Sequence, residues 1–248
     1  MTLTLALLFA ASVWAGAQNS LAGGGSFVTF PALLLAGLNP LVANVTSTVA
    51  LFPSQALAGW TTRGMAAGPG PVGLRTLVLI SLVGGAAGAA LLLVTPAPFF
   101  ARMVPFLTLF ATALFAWGSF GRTPGAEAPR LSPRATLAIQ AAIAVYGGYF
   151  GGGIGFMMLA ALTMAGVAVR AASASKNILA GAMNAAAFAV FAFSPLVQWG
   201  PAAVVCAGSV LGGYGGAWLL SRVPEKLLRA GIVAVGLLLT VGLFLRQG

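Results

Sequence analysis

Few residue types in this chain could do chemistry, and their scarcity narrows what the chain can be. Its 248 residues include two carboxylates (Glu127 and Glu225), one thiol (Cys206) and no histidine. Two isolated acids do not make the carboxylate pair of a glycosidase, and no triad can be built without an imidazole. No ligand set for zinc or iron exists, and one cysteine cannot form an internal disulfide. Enzyme chemistry is therefore not expected, and no cofactor is called for. What remains is neutral or basic: amides, hydroxyls, one lysine in an apolar stretch, and two glycine triplets, Gly23-Gly24-Gly25 and Gly151-Gly152-Gly153. Such groups can bind a small polar or anionic solute without reacting with it.

The elements that must position them are membrane helices. Hydrophobic residues make up 60% of the chain and charged residues 6%, with a mean hydropathy of +1.03; a soluble domain carries about 25% charged residues. The net charge of +10 would point to nucleic acid in a soluble protein. Here the basic residues sit between long apolar runs, so the partner is the lipid bilayer and not nucleic acid.

Apolar stretches cover residues 2–18, 26–38, 41–60, 72–94, 99–119, 135–149, 154–168, 171–194, 199–220 and 226–245. Six of them, the third to fifth and eighth to tenth, approach the roughly 20 residues that a crossing needs. The first and second are shorter and meet at one glycine triplet. The sixth and seventh meet at the other. The halves repeat: Ser81-Leu-Val-Gly84-Gly85-Ala-Ala-Gly88-Ala89 aligns with Ser209-Val-Leu-Gly212-Gly213-Tyr-Gly-Gly216-Ala217, and the triplets coincide at the same offset. One residue further, Phe27 pairs with Phe156, Gly37 with Gly166, and Thr46 with Ser175. This is the pattern of a duplicated unit: a first repeat over 1–119, a polar, proline-rich linker over 120–134, and a second repeat over 135–248, together one transmembrane domain. Ala15-Gly16-Ala17 looks like a signal-peptidase site. However, no basic residue precedes the apolar run, so cleavage is not expected.

Charge decides the topology. If each glycine triplet lies within a single broken crossing, the basic residues divide six against six. If each triplet is the tip of a hairpin that returns to its own side, ten fall on one side (Arg63, Arg75, Arg122, Arg130, Arg134, Arg170, Lys176, Arg222, Lys226, Arg229) and only Arg102 and Arg246 on the other. The positive-inside rule favours the hairpins, with the basic face cytoplasmic and both termini outside. The expected fold is an all-α membrane protein of two inverted repeats, each a Gly-tipped helical hairpin plus three transmembrane helices.

Inverted repeats with interrupted helices characterise secondary transporters, whose sites lie near the midplane. The second arm of each hairpin is expected to begin at Ser26 and Ile154, where unpaired amides and the positive end of the helix dipole can hold an anion. The candidate substrate-binding residues are Asn19, Gly23, Gly24, Gly25, Ser26, Thr46, Ser54 and Gln55 in the first repeat. In the second they are Gly151, Gly152, Gly153, Ser175, Lys176, Asn177 and Asn184. At 1.5 Å per residue, Gln55 and Asn184 should lie about 20 Å into their helices, and Thr46 and Lys176 about 8 Å in, nearer the mouths. Pro53 should loosen the helix beside Gln55. Each candidate also has a structural reading: amides and hydroxyls join helices, and Lys176 could snorkel to the interface. Gly84-x-x-x-Gly88 and Gly208-x-x-x-Gly212-x-x-x-Gly216 are small-residue packing faces that could also join a homodimer. Glu127 and Glu225 fall in loops, which leaves no carboxylate in a span to relay protons.

Several of these motifs resemble the TauE/SafE sulfite exporter family of anion permeases: Asn19-Ser-Leu-Ala-Gly-Gly-Gly-Ser-Phe-Val-Thr-Phe-Pro31, Gly37-Leu-Asn-Pro, Ala43-Asn-Val-Thr-Ser-Thr48, Tyr149-Phe-Gly-Gly-Gly153, Lys176-Asn177 and Asn184-Ala-Ala-Ala-Phe. The resemblance spans nearly the whole chain. It implies a permease for sulfite, a sulfonate or a related organic acid in a bacterial inner membrane, with departures from the usual pattern around Ala160 and at Ser175-Lys176. Other readings are a channel-like anion pathway and a non-transporting membrane scaffold. The short loops leave little surface for a scaffold's partner.

Overall fold

The computed structural model describes residues 2–21, 24–120, 131–220 and 225–245. Among them there are ten α-helices and no strand. The first half holds α1 (Thr2–Leu21), α2 (Ser26–Leu35), α3 (Pro40–Thr62), α4 (Leu74–Val94) and α5 (Ala97–Phe120), with a short 3-10 turn, Arg63–Met65, continuing α3. The second half holds α6 (Pro133–Tyr149), α7 (Ile154–Met164), α8 (Val169–Phe191), α9 (Trp199–Leu220) and α10 (Glu225–Leu245). The apolar stretches mark these helices to within a few residues. α1 outruns its stretch because the helix continues through Asn19 and Ser20. Glu225 is the first residue of α10 and not part of a loop. Glu127 lies outside the described residues, as does Gly23.

The half-length helices owe their bounds to glycine. α2 and α7 have 10 and 11 residues, about 15 Å at 1.5 Å per residue, or half a hydrocarbon core. Gly24, Gly151 and Gly153 take φ of +85°, +79° and +78°, a region closed to most residues with a Cβ. Both half-helices also end alike. Leu38 N–H donates to Leu33 O and Gly37 N–H to Leu34 O, while Val167 and Gly166 do the same to Leu162 and Thr163. Gly37 and Gly166 are left-handed, so each end is a Schellman motif at matched positions. α3 begins where Asn39 Oδ1 accepts from Val42 N–H ahead of Pro40, and α6 where Ser132 Oγ accepts from Ala135 N–H ahead of Pro133. Both are N-caps followed by a proline at the first helical position. α3 stays helical through Pro53, so the loosening expected there does not interrupt it.

Packing in the second half mirrors that in the first. α1 lies along α9 as α6 lies along α4, α2 rests on α3 and α10 as α7 rests on α8 and α5, and α3 meets α8. The first two pairings run parallel, since Gly208 faces Ser12 and Gly213 faces Gly16, while Gly84 faces Ala144 and Gly88 faces Gly148. α3 and α8 run antiparallel, with Gly59 against Asn177 and Gly181 against Gln55. A Cβ on Gly88 or Gly212 would overlap the Val145 or Val13 carbonyl. These close backbone approaches supply the van der Waals contact that holds helices together where lipid is as apolar as leucine. The described parts of both small-residue faces are buried within the chain, against α6 and α1.

α3 with its 3-10 turn, α4 and α5 are long and apolar enough to cross a membrane. α8, α9 and α10 have 23, 22 and 21 residues, and α8 is interrupted in apolar character by Lys176, Asn177 and Asn184. Trp60, Trp117 and Trp199 are exposed, as are Leu79 and Val83 on α4, Phe106 and Phe110 on α5 and Leu238 and Val241 on α10. On a membrane protein that apolar exterior is the lipid-facing surface. Polar side chains are instead gathered inside, on α3 and α8: Asn44, Thr46, Ser47, Ser54, Gln55, Ser175, Lys176, Asn177 and Asn184 are all buried.

Candidate functional site

The two glycine tips meet at the α3–α8 crossing. A Cβ on Gly151 would lie 4.0 Å from Ser26 Oγ, and Asn44 Nδ2 donates across to Tyr149 O at 3.0 Å. Phe27 and Phe156, at matched positions, both pack edge-on against Phe115 of α5, with ring centroids 6.0 and 4.1 Å away. The tips are thus fixed to each other and to a common wall.

Between them is a small cavity lined by Asn19, Gly24, Ser26, Gln55, Ala58, Gly151, Ile154, Gly155, Lys176, Asn177 and Ala180. Seven of these belong to the fifteen candidates. Ala58 and Ala180 are not among them, although they lie three residues from Gln55 and four from Lys176, on the same helix faces. Ile154 and Gly155 open α7. Their amides, like that of Ser26, have no hydrogen-bond partner among the described residues, which leaves the donors of a helix N-terminus at the cavity.

The lining is one-sided in charge. Lys176 is only 2% exposed, and no described residue offers its ammonium a hydrogen bond or a carboxylate. That burial does not fit a side chain that snorkels to the interface. Gln55 Oε1 accepts from Asn184 Nδ2, so the amide nitrogen of Gln55 is left as a donor. Asn19 is used in the same way: its Oδ1 accepts from Gly25 N–H at 3.4 Å, and its nitrogen has no partner among the described residues. The cavity is small, with about 20 Å³ of free space, roughly room for one water.

The other candidates have different places. Asn184 also donates to Ala180 O at 3.0 Å; with its donors engaged it stands behind Gln55 and does not line the cavity. Thr46 Oγ1 accepts from Gln198 N–H at 3.1 Å. Its counterpart Ser175 accepts from Ala67 N–H at 2.9 Å and donates to Ala67 O at 2.8 Å. Each therefore pins the loop that follows the opposite repeat's long polar helix, and neither reaches the cavity. Ser54 donates to Leu51 O and faces a second cavity of about 160 Å³, which shares Ala58 and Asn177 with the first. Gly152 lines a third, of about 10 Å³, with Phe27, Phe30 and Phe150. Gly25 and Gly153 cap α2 and α7 beside the cavity. Among the described residues no cluster of acids, histidines and cysteines could hold a metal.

A model of the sulfite exporter TauE/SafE family matches residues 8–243. The chain belongs to that family. This TauE/SafE protein is 34% identical over 250 residues to a probable membrane transporter protein, ORF9, of Sinorhizobium sp., covering 96% of this chain and 92% of the relative. It is 29% identical over 254 residues to a probable membrane transporter protein of Haemophilus influenzae, covering 98% and 96%. With the probable membrane transporter protein YfcA of Escherichia coli K12 it shares 28% over 244 residues, covering 97% and 90%. No solved structure matches it significantly. The TauE/SafE protein is an integral membrane transporter.

Proposed function

We propose that this protein is a permease for a small anion such as sulfite, a sulfonate or a related organic acid, held between the two half-helix N-termini. One observation carries the reading: Lys176 is buried at the cavity with no carboxylate near it among the described residues. An ammonium with so little access to water needs a partner of opposite charge, and a bound anion supplies it. The donors around it fit an oxyanion: the free amides of Ser26, Ile154 and Gly155, the side-chain nitrogens of Asn19 and Gln55, and Asn177. Each helix terminus adds roughly 0.3–1 kcal/mol when exposed and up to about 2 when partly buried.

The antiparallel contact between the matched helices α3 and α8 supports the inverted arrangement. A two-fold operation that relates antiparallel partners reverses the direction of each repeat. With nine basic residues against two once the cavity-lining Lys176 is left out, this reading puts the protein in a bacterial inner membrane with both termini outside. The small free volume of the cavity, about 20 Å³, supports a carrier over a channel. The short loops argue against a scaffold.

The test is anion binding and uptake. Purified protein should bind sulfite or methanesulfonate calorimetrically, and proteoliposomes should take up the bound anion. Lys176→Met should weaken binding by about tenfold or more, a charge-assisted bond of ~1.5 kcal/mol or above, while Lys176→Arg keeps part of it. Unchanged affinity in Lys176→Met would move the site elsewhere.

A further inference from the structure

The cavity's charge and its size together bear on how the carrier returns. Lys176 is 2% exposed, and the space beside it, about 20 Å³, holds roughly one water and not a hydration shell. The nearest basic group on the packed 3-10 turn, Arg63, is turned away. It lies 3.8 Å over the Trp60 ring and donates to Trp60 O. The lining residues Asn19, Ser26, Gln55 and Asn177 are neutral. An anion larger than one water must widen this space as it binds, and the loaded site is then close to neutral. Without one, closing the site confines an unpaired ammonium in a space too small to solvate it, and burying a lone charge is far costlier than burying a pair.

We propose that this protein works as an anion exchanger: the loaded carrier reorients readily, whereas the empty one does so slowly. The inference rests on the anion site proposed above and adds the transport mode. Each inward anion is then matched by an outward one, and net flux is limited by the return of the unloaded carrier. A ligand can shift a conformational equilibrium only by its differential affinity for the states involved. Here that differential is the neutralisation of Lys176.

The experiment compares entry of radiolabelled sulfite, and separately of methanesulfonate, into two sets of proteoliposomes at equal pH. One is loaded with the same unlabelled anion and the other with sucrose. Entry should be faster into anion-loaded vesicles by about tenfold or more, the factor that each 1.36 kcal/mol of barrier brings. Lys176→Arg should keep that ratio, and Lys176→Met should bring it close to one. Equal entry into both sets by the wild-type protein overturns exchange and leaves the anion site standing. Net entry driven by an imposed pH gradient at the exchange rate also overturns it, because the lysine would then discharge by shedding its proton. No entry of either anion into either set, with protein that is folded in the bilayer, overturns the permease reading and the exchange inference together.

Discussion

Asn184 Nδ2 donates to Gln55 Oε1, and the two residues occupy matched positions in the two halves, on antiparallel helices. The bond therefore spans the point where α3 and α8 cross. Gln55 faces the cavity, and Asn184 fixes which end of its amide faces inward. With the carbonyl oxygen engaged, the NH2 group is presented to the solute, the orientation an anion requires.

That arrangement predicts coupling between the two amides. Gln55→Ala removes a donor, and Asn184→Ala lets the Gln55 amide turn its oxygen inward. Each should lower sulfite affinity by about fivefold, from a net hydrogen bond of ~1 kcal/mol. The double variant should lose little more than either single one, because both act through one group. Calorimetric affinities for the four proteins form the cycle. Additive losses would mean that Asn184 contacts the anion independently.

Thr46 and Ser175 lead to the opposite expectation. Both are candidate ligands by sequence, yet both hold loops. Thr46→Val and Ser175→Ala each leave the Gln198 or Ala67 amide without its acceptor. Both bonds are only partly buried, so losing one costs about 0.5–1.5 kcal/mol. Thermal unfolding in detergent should show lowered midpoints for both, with sulfite affinity unchanged. A drop in affinity at full stability would restore them to the site.

This contrast marks what the sequence could convey. The glycine triplets locate both hairpin tips, and the starts at Ser26 and Ile154 follow from where each triplet ends. Spacing also gives height along a helix, which is why Gln55 and Asn184 can be put at similar depth. It does not say which way a side chain points. Ser175 and Lys176 are neighbours about 100° apart on α8, and one meets a loop while the other meets the cavity. Nor can height alone place Lys176. The same rise that suggests the mouth holds for a residue buried at the cavity. The hydrogen-bond saturation of Asn184 depends on Gln55 being opposite it, a long-range fact absent from either segment.

Glycine substitutions separate conformation from space. Gly153 is left-handed, and a Cβ added to it would lie 3.4 Å from Ala111 Cβ, so Gly153→Ala is strained by its backbone even where there is room. The left-handed region costs an alanine roughly 1–2 kcal/mol. Gly153→Val should lose transport as the tip shifts. Gly213 on α9 has right-handed helical backbone and open space, with only Gly16 O at 4.0 Å. Gly213→Ala should be neutral or gain about 0.4–1 kcal/mol from a stiffer unfolded chain. Melting midpoints and sulfite uptake test the pair. Equal destabilisation at both sites would show that the tip geometry is not what Gly153 provides.

The topology is open to direct chemistry. With the cavity-lining Lys176 left out, the hairpin reading puts nine basic residues on one side and two on the other, and it predicts the linker and the α9–α10 connection in the cytoplasm and the loop before α9 outside. In a variant with Cys206 replaced by alanine, single cysteines are introduced at Gly121, Arg222 and Gln198. Gly121 and Arg222 lie outside the described residues and are chosen from the sequence, whereas Gln198 is exposed at the start of α9. An impermeant thiol reagent applied to intact cells should modify Gln198→Cys and spare the other two until the membrane is permeabilised. Because α3 and α8 are matched and antiparallel, the loops after them must lie on opposite faces, so a cysteine at Gly64 should be spared as well. Labelling of Gly64→Cys and Gln198→Cys from the same side would break the inverted arrangement. The anion site would then have to be built from half-helices that enter from one face.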